Sequence, residues 1–448
     1  MNIPVWYEAL RVGTIAPGPD GPVFRYDTSW LRLNDAFPVS MRMPLGSDPI
    51  PPTVLHPWLQ NLLPERGVLT TMGRILGSAP EDVLGLLQHI GRDTAGALAI
   101  GGEPADNAVS DHRDIPDQAA LERIIEELPA KPFLVGEEGV SMSLAGAQDK
   151  LPVAVHDGRI TIPIHGAPST HILKPDNRRL AGSVQNEALC MALAQRMFPA
   201  RTEVIGPLDT YALNTMPLNA TRRVEHLSVA PVTTGVAGAR SYLLVARYDR
   251  VQHGERWQRI HQEDFCQALG KPPGAKYQHN QTGAPGPSLR DFFELTRTFM
   301  MGADTLRLLD AVIFNVLIGN VDAHAKNYSL IINPRRVSLA PLYDLMCGAA
   351  WESITLNHAQ SIGGQRRGMQ IRRRHWMRMA EECGLNATSV VRRVTRLADA
   401  VLHELDVAID TVRAMPAGDH PILTVARDEI RKLCVTVRRN AERDDASA

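Results

Sequence analysis

Gly319-Asn-Val-Asp-Ala-His-Ala-Lys-Asn327 sets an aspartate, Asp322, and an asparagine, Asn327, five residues apart in one loop. The loop leaves the run Leu306–Ile318, which is apolar nearly all round and reads as a buried central helix stopped by Gly319-Asn320. Asp-x-x-x-x-Asn is the catalytic-loop spacing of protein kinases, in which the aspartate accepts the substrate hydroxyl proton and the asparagine holds Mg2+. Phosphoryl transfer needs this pair because its catalysis is mostly positioning plus neutralisation of charge.

A second acid, Asp344, closes the apolar run Leu339-Ala-Pro-Leu-Tyr-Asp344, where another metal ligand is needed. Either aspartate alone is better explained as a loop or capping carboxylate. Together, behind a buried helix, they point to kinase chemistry. Upstream, Lys174 ends a strand-like run and Glu187 stands in the first turn of the predicted helix Asn186–Phe198. A strand lysine paired with a helix glutamate is how kinases fix the ATP phosphates. The bland alternative for Glu187 is a favourable interaction with the helix dipole. Ser141-Met-Ser-Leu-Ala-Gly-Ala-Gln-Asp-Lys150 occupies the place of a phosphate-covering loop, before a hairpin. It matches neither standard glycine-rich phosphate motif, and its small residues only permit close backbone approach.

The chain divides by pattern. Its first hundred residues show short strand-like runs broken by Gly/Pro clusters, then helical stretches near Val54–Leu63 and Pro80–Ile90. Glu103–Gln118 reads as a polar linker and Leu121–Leu128 as a short helix. Leu151–His156 and Arg159–Ile164 are strands joined by Asp157-Gly158, a type I′ hairpin signal. Thr170–Lys174 and Ser241–Tyr248 are further strands, and beyond about residue 255 the pattern is mainly helical. The reading is an α+β, two-lobed protein-kinase-like fold: a subdomain over residues 1–104, a β-rich lobe over 105–250 and a helical lobe over 251–448.

Composition agrees with such an enzyme. The 448 residues are 44% hydrophobic and 22% charged, which is globular, and a net charge of −1 favours no partner by itself. The five scattered cysteines have no metal-ligand spacing and read as reduced thiols. The N-terminus lacks a signal-peptide layout, and the longest apolar stretch, Leu308–Gly319, is too short to span a bilayer. A cytoplasmic protein without membrane association is expected.

The motifs SLAGAQDK, THILKPD, QNEALCMALA, ARYDR, QEDFCQALG-KPPGAKYQ, VDAHAKN and LYDL, in this order and spacing, resemble the HipA family of toxin kinases. The resemblance runs from Val5 to Arg439 and includes the family's N-terminal pattern RVG…LPERG…IGRDTAGAL. It implies Asp322 as catalytic base, His324 beside the transferred group, and Asn327 and Asp344 as Mg2+ ligands. It implies an ATP site drawn from Ser143, Ala145, Gly146, Ala147, Gln148, Lys150, Lys174, Glu187, Arg247, Tyr248, Asp249, Lys326 and Tyr343. Arg247 and Tyr248 would serve as the adenine hinge through backbone groups; Ala246 departs from the acidic residue associated with that place. Family members autophosphorylate a serine opening the glycine-containing loop, here Ser143, with Ser141 as second candidate. The resemblance further implies a helix-turn-helix antitoxin of HipB type, operator DNA reached through that complex, and an aminoacyl-tRNA synthetase as substrate.

A basic run, Arg366-Arg367 and Arg372-Arg373-Arg374-His375-Trp376-Met377-Arg378, stands out in a neutral chain. Charge runs are usually solvated faces; the family's operator complexes make Arg372, Arg373, Arg374 and Arg378 candidates for phosphate contacts. A small-molecule or lipid kinase of the same fold, and a catalytically silent DNA-bound co-repressor, are the rival functions.

Overall fold

The computed structural model describes residues 2–102, 111–205, 222–254 and 256–443. The first part is an antiparallel sheet in the order β3–β2–β1–β4, built from β1 (Ile3–Tyr7), β2 (Leu10–Gly18), β3 (Gly21–Tyr26) and β4 (Leu98–Ile100). Between β3 and β4 lie α1 (Thr28–Leu31), α2 (Pro52–Asn61), α3 (Arg66–Leu76) and α4 (Val83–Ile90). Pro52 opens α2, where its fixed φ is pre-organised and its missing N–H costs nothing. The helix expected from Pro80 begins at Val83, because Asp82 accepts from the Gly85 N–H and caps it there.

A six-stranded sheet follows, ordered β11–β12–β8–β6–β7–β5. Its members are β5 (His112–Asp114), β6 (Leu151–His156), β7 (Arg159–Pro163), β8 (His171–Pro175), β11 (Val232–Ala237) and β12 (Arg240–Ala246). A separate pair is formed by β9 (Arg201–Ile205) and β10 (Arg222–His226). The β6–β7 turn is the predicted one, with Asp157 and Gly158 at φ of 47° and 74°. The stretch expected as a linker is corrected in part: His112–Asp114 pairs with β7 as an edge strand, and α5 (Gln118–Glu127) starts at Gln118 under an Asp117 cap. Residues 103–110 of that stretch, with the expected boundary after residue 104, lie outside the described residues. Helix α6 (Ser183–Met197) packs on this sheet and buries its whole length from Ser183 to Ala194. It begins three residues earlier than expected, so Glu187 sits in its second turn.

The remaining chain is mainly helical, as expected: α7 (Phe265–Ala268), α8 (Leu289–Phe299), α9 (Gly302–Leu317), α10 (Arg373–Glu382), α11 (Ala387–Arg413) and α12 (Ile422–Glu442). It also holds strands too short for a legible alternation. These are the hairpin β13 (Arg250–His253) and β14 (Arg256–Arg259), and the sheet of β15 (Gln262–Asp264), β16 (Ser329–Asn333) and β17 (Arg336–Leu339). A last pair is β18 (Asn357–Ile362) and β19 (Gln365–Arg367). Helix α9 is the buried central helix, with Leu308, Ile313, Phe314 and Leu317 inaccessible. All five cysteines are free and buried. Among the described residues no helix is long and apolar enough to cross a membrane.

Candidate active site

The loop after α9 is held by asparagine hydrogen bonds as well as by the buried Val321, Ala323 and Ala325. Gly319, at φ of 68°, turns the chain out of the helix. The Asn320 side chain donates to Asn315 Oδ1 at 2.9 Å and accepts from the Asp322 N–H at 3.2 Å. Asn327 donates to the Asp322 carbonyl at 2.8 Å, closing the loop over a 3-10 turn. Asn315, which interrupts the apolar helix, is therefore an anchor of this loop. The Asp322 side chain remains 57% exposed, and its Oδ1 accepts from the Tyr277 hydroxyl. Loss of water around it moves its carboxyl above the ordinary range; the Tyr277 hydrogen bond opposes the rise and the Asp344 charge adds to it.

Lys174 joins the two lobes. Its Nζ lies 2.7 Å from Glu187 Oε1 and 2.6 Å from Asp344 Oδ1. Burial alone would lower its pKa, but the carboxylates of Asp344 and Glu187 hold it well above the usual lysine value. Asp344 is likewise kept far below the carboxylate range by Lys174, against the opposing effect of burial. The Asp344 segment is fixed from α6: Asn186 accepts from the Cys347 N–H at 2.8 Å and donates to the Cys347 carbonyl at 3.1 Å. Behind Asp322, His324 is buried with Nδ1 unpartnered among the described residues, and burial drives its pKa well down, so its imidazole is neutral.

The loop Ser141–Lys150 is seated on the N-terminal subdomain. The Asp93 N–H donates to the Ser141 carbonyl at 3.1 Å, and the Ser143 N–H to the Asp93 carbonyl at 3.0 Å. Ser143 is fully buried, its hydroxyl donating to the Leu62 carbonyl at 2.8 Å. Gly146 has φ of 111°, and a Cβ there would come within 2.6 Å of Lys150 Nζ, so the position requires glycine. Burial and the nearby Lys174 push the Lys150 ammonium down to about 8, and it donates to the Ala145 carbonyl. Ala147 is exposed at the tip, with Gln148 and Asp149 half-buried after it.

Tyr248 stacks on Tyr343 with ring centroids 5.6 Å apart. The Tyr343 hydroxyl bonds Ser329 Oγ and the Lys326 carbonyl, both at 2.7 Å. The charged ends of Arg247, Asp249 and Lys326 point elsewhere. Arg247 grips Asp249 at 2.7 Å within a buried cluster that also contains Asp93 and Arg250. Lys326 Nζ is spent on Asp264 at 2.5 Å and Asn61 Oδ1 at 2.8 Å. Nucleotide contacts from these three residues would be limited to their backbone groups. Asp93, Asn186 and Tyr277 were missed by the sequence reading; all three lie inside quoted motifs, but their partners are distant in sequence.

The arginine run opens α10. Arg372, Arg374 and Arg378 are exposed, with Arg378 Nε 2.8 Å from Glu382, and Arg373 is half-buried, donating to the Ala441 carbonyl at 3.3 Å. Trp376, in the same run, is fully buried core, because it falls on the inner face of α10. Arg372, Arg374 and His375 line an open cavity of about 530 Å³ with Arg439 and Asn440 of α12.

Whether Mg2+ suits the site is a question of donors. Asn327 and Asp344 offer oxygens, and no group of three or more His, Cys, Asp or Glu among the described residues could hold a metal. Few protein oxygens, with water and phosphate completing the shell, is how Mg2+ is bound in kinases, so the residues fit.

The HipA N-terminal domain family matches residues 3–101, and the HipA-like C-terminal domain family matches residues 142–405. The Y4mE protein of Sinorhizobium fredii is 36% identical over 405 residues, 88% of this chain and 89% of that protein. The serine/threonine-protein kinase toxin HipA of Shewanella oneidensis is 27% identical over 401 residues, 87% of this chain and 85% of that one. A solved Shewanella oneidensis complex of HipA, HipB and operator DNA has the same fold: TM-score 0.79 at 23% identity, covering 98% of this chain and 99% of the other. With both domain families matched along its length, the chain belongs to the HipA family, and its enzyme class is serine/threonine protein kinase.

Proposed function

We propose that this chain is the toxin of a toxin–antitoxin pair and phosphorylates a protein serine or threonine from MgATP. The observation that supports it most is Lys174 bound to both Glu187 and Asp344, which is consistent with one site drawn from both parts of the chain. Bound MgATP supplies the transferable phosphoryl group and the charge neutralisation. Asp322 takes the proton of the acceptor hydroxyl, and neutral His324 lies behind it without adding charge. Lys174 holds phosphate oxygens, oriented by Glu187, while Asn327 and Asp344 offer the metal oxygens. The loop Ser143–Lys150 covers the phosphates with backbone groups, and Tyr248 and Tyr343 wall the adenine end. The proposed units are residues 1–104, 105–250 and 251–448, in the cytoplasm.

The target would be a translation component such as an aminoacyl-tRNA synthetase. The test is transfer from γ-labelled ATP into bacterial lysate, resolved into protein and small-molecule fractions. Label in protein is expected; label confined to small molecules would overturn the reading in favour of a metabolite or lipid kinase. In complex with a HipB-like helix-turn-helix antitoxin, Arg372, Arg373, Arg374 and Arg378 would meet operator phosphates, leaving base readout to the partner. Each such contact steepens the fall of log K with log salt by about 0.9. Arg372→Ala with Arg374→Ala should flatten the slope of the ternary complex; an operator slope unchanged by adding the toxin would remove the DNA role.

A further inference from the structure

Asp322 has its backbone fixed from several sides, but its carboxylate has one fixed partner among the described residues. Its N–H is held by Asn320, and its carbonyl accepts from the Asn327 side chain and from the His324 N–H at 2.7 Å. None of these sets the rotation of the carboxylate. That falls to the Tyr277 hydroxyl, which donates to Oδ1, while His324 Nε2 stays 3.9 Å away.

Tyr277 does not belong to a loose flap. The carbonyl of Lys276 before it accepts from the Ala325 N–H at 3.1 Å, inside the catalytic loop. The N–H of Gln278 after it donates to the Ala359 carbonyl at 3.2 Å on β18. The tyrosine ring stands edge-on to His324 at 5.0 Å, with Lys276 Nζ 5.3 Å from its centroid. Lys276 is itself paired with Glu65, whose N–H donates to the Gly146 carbonyl of the phosphate-covering loop at 3.2 Å.

We infer that Tyr277 is a positioning residue for phosphoryl transfer, fixing the Asp322 carboxylate by one oxygen so that the other faces the acceptor hydroxyl. The inference rests on Asp322 being the base. An acceptor proton is received best by an oxygen already oriented, and a carboxylate free to rotate would spend much of its time misdirected. Donation to Oδ1 leaves Oδ2 as the accepting atom and takes no proton from the reaction.

The test uses the full chain as wild type, Tyr277→Phe, Asp322→Asn and the double variant. Label from γ-labelled MgATP into heat-treated lysate protein gives kcat and KM for ATP, and melting temperature is read in parallel. Tyr277→Phe should lower kcat by about tenfold, the scale of one hydrogen bond to a charged group, with KM for ATP and melting temperature unchanged. In the Asp322→Asn background the same change should cost nothing further. A wild-type or raised kcat in Tyr277→Phe would overturn the inference, as would a loss that merely follows the melting temperature. Should Asp322→Asn keep wild-type turnover, it is the assignment of the base that fails.

Discussion

Asp344 has φ of 57°, a left-handed backbone that a residue with a side chain adopts at some cost. The conformation is held by Lys174 on its carboxylate and by Asn186 on Cys347 three residues later, so strain coincides with the proposed metal oxygen. Ser143 shows the opposite arrangement, a hydroxyl buried without strain and spent on a carbonyl. Phosphorylation would remove that donated proton and set close to two negative charges against the Leu62 carbonyl, so a phosphorylated loop could not keep this seat. Ser143→Ala should cost about 1 kcal/mol of stability and abolish phosphate at this position in peptide maps taken after MgATP incubation. Phosphate confined to exposed serines in the wild type would refute a switch at Ser143. Asp322, Asn327, Lys174 and Glu187, the residues proposed for catalysis, could be picked out of the sequence because kinase chemistry imposes a type and a spacing. Tyr277 and Asn186 could not, because their work depends on partners 45 and 161 residues away.

Elements were readable where periodicity or a turn signal is local. The Asp157-Gly158 hairpin and the apolar α9 needed no tertiary information. Strand β15, beside the Asp322 loop, owes its form to pairing with the distant β16, whereas β16 and β17 are a local hairpin of strands too short to show a legible alternation. Strand β15 also ties the N-terminal subdomain to the helical lobe through Glu263, whose Oε1 accepts from the Met41 N–H at 2.9 Å. Burial pushes the Glu263 carboxyl up to about 8, and its other oxygen is unpartnered among the described residues. A carboxyl raised in the folded state binds its proton more tightly there than in the unfolded chain. Its stabilising contribution is therefore full below the unfolded value of about 4.5 and is lost as pH rises through about 8. Glu263→Gln, which stays neutral, should flatten the fall of melting temperature across that window. An identical pH slope in the two proteins would show that Glu263 ionises freely in the fold.

At the scale of the whole molecule, the expected mix of a β-rich part and a mainly helical part is present, yet the sequence concealed how firmly the parts are joined. Asp93 of the N-terminal subdomain is buried against Arg247 and Arg250 of the hinge region, at 3.5 and 2.8 Å. Its backbone also seats the Ser141–Lys150 loop. No pattern within IGRDTAGAL announces this, since an aspartate after an arginine reads as surface until its partners are known. The proposed nucleotide site thus draws on three segments, and Lys174–Asp344 is one ion pair, with Arg196–Glu404 another, that joins the β-rich and helical parts. Separating binding from transfer tests this account most directly: MgATP affinity by calorimetry and phosphoryl transfer by label, for Asp322→Asn and Asp344→Ala. Asp322→Asn should bind MgATP as the wild type does and lose transfer by about a hundredfold or more, the scale of general-base catalysis, whereas Asp344→Ala should weaken MgATP binding as well. Wild-type transfer by Asp322→Asn, or undiminished MgATP binding by Asp344→Ala, would contradict it.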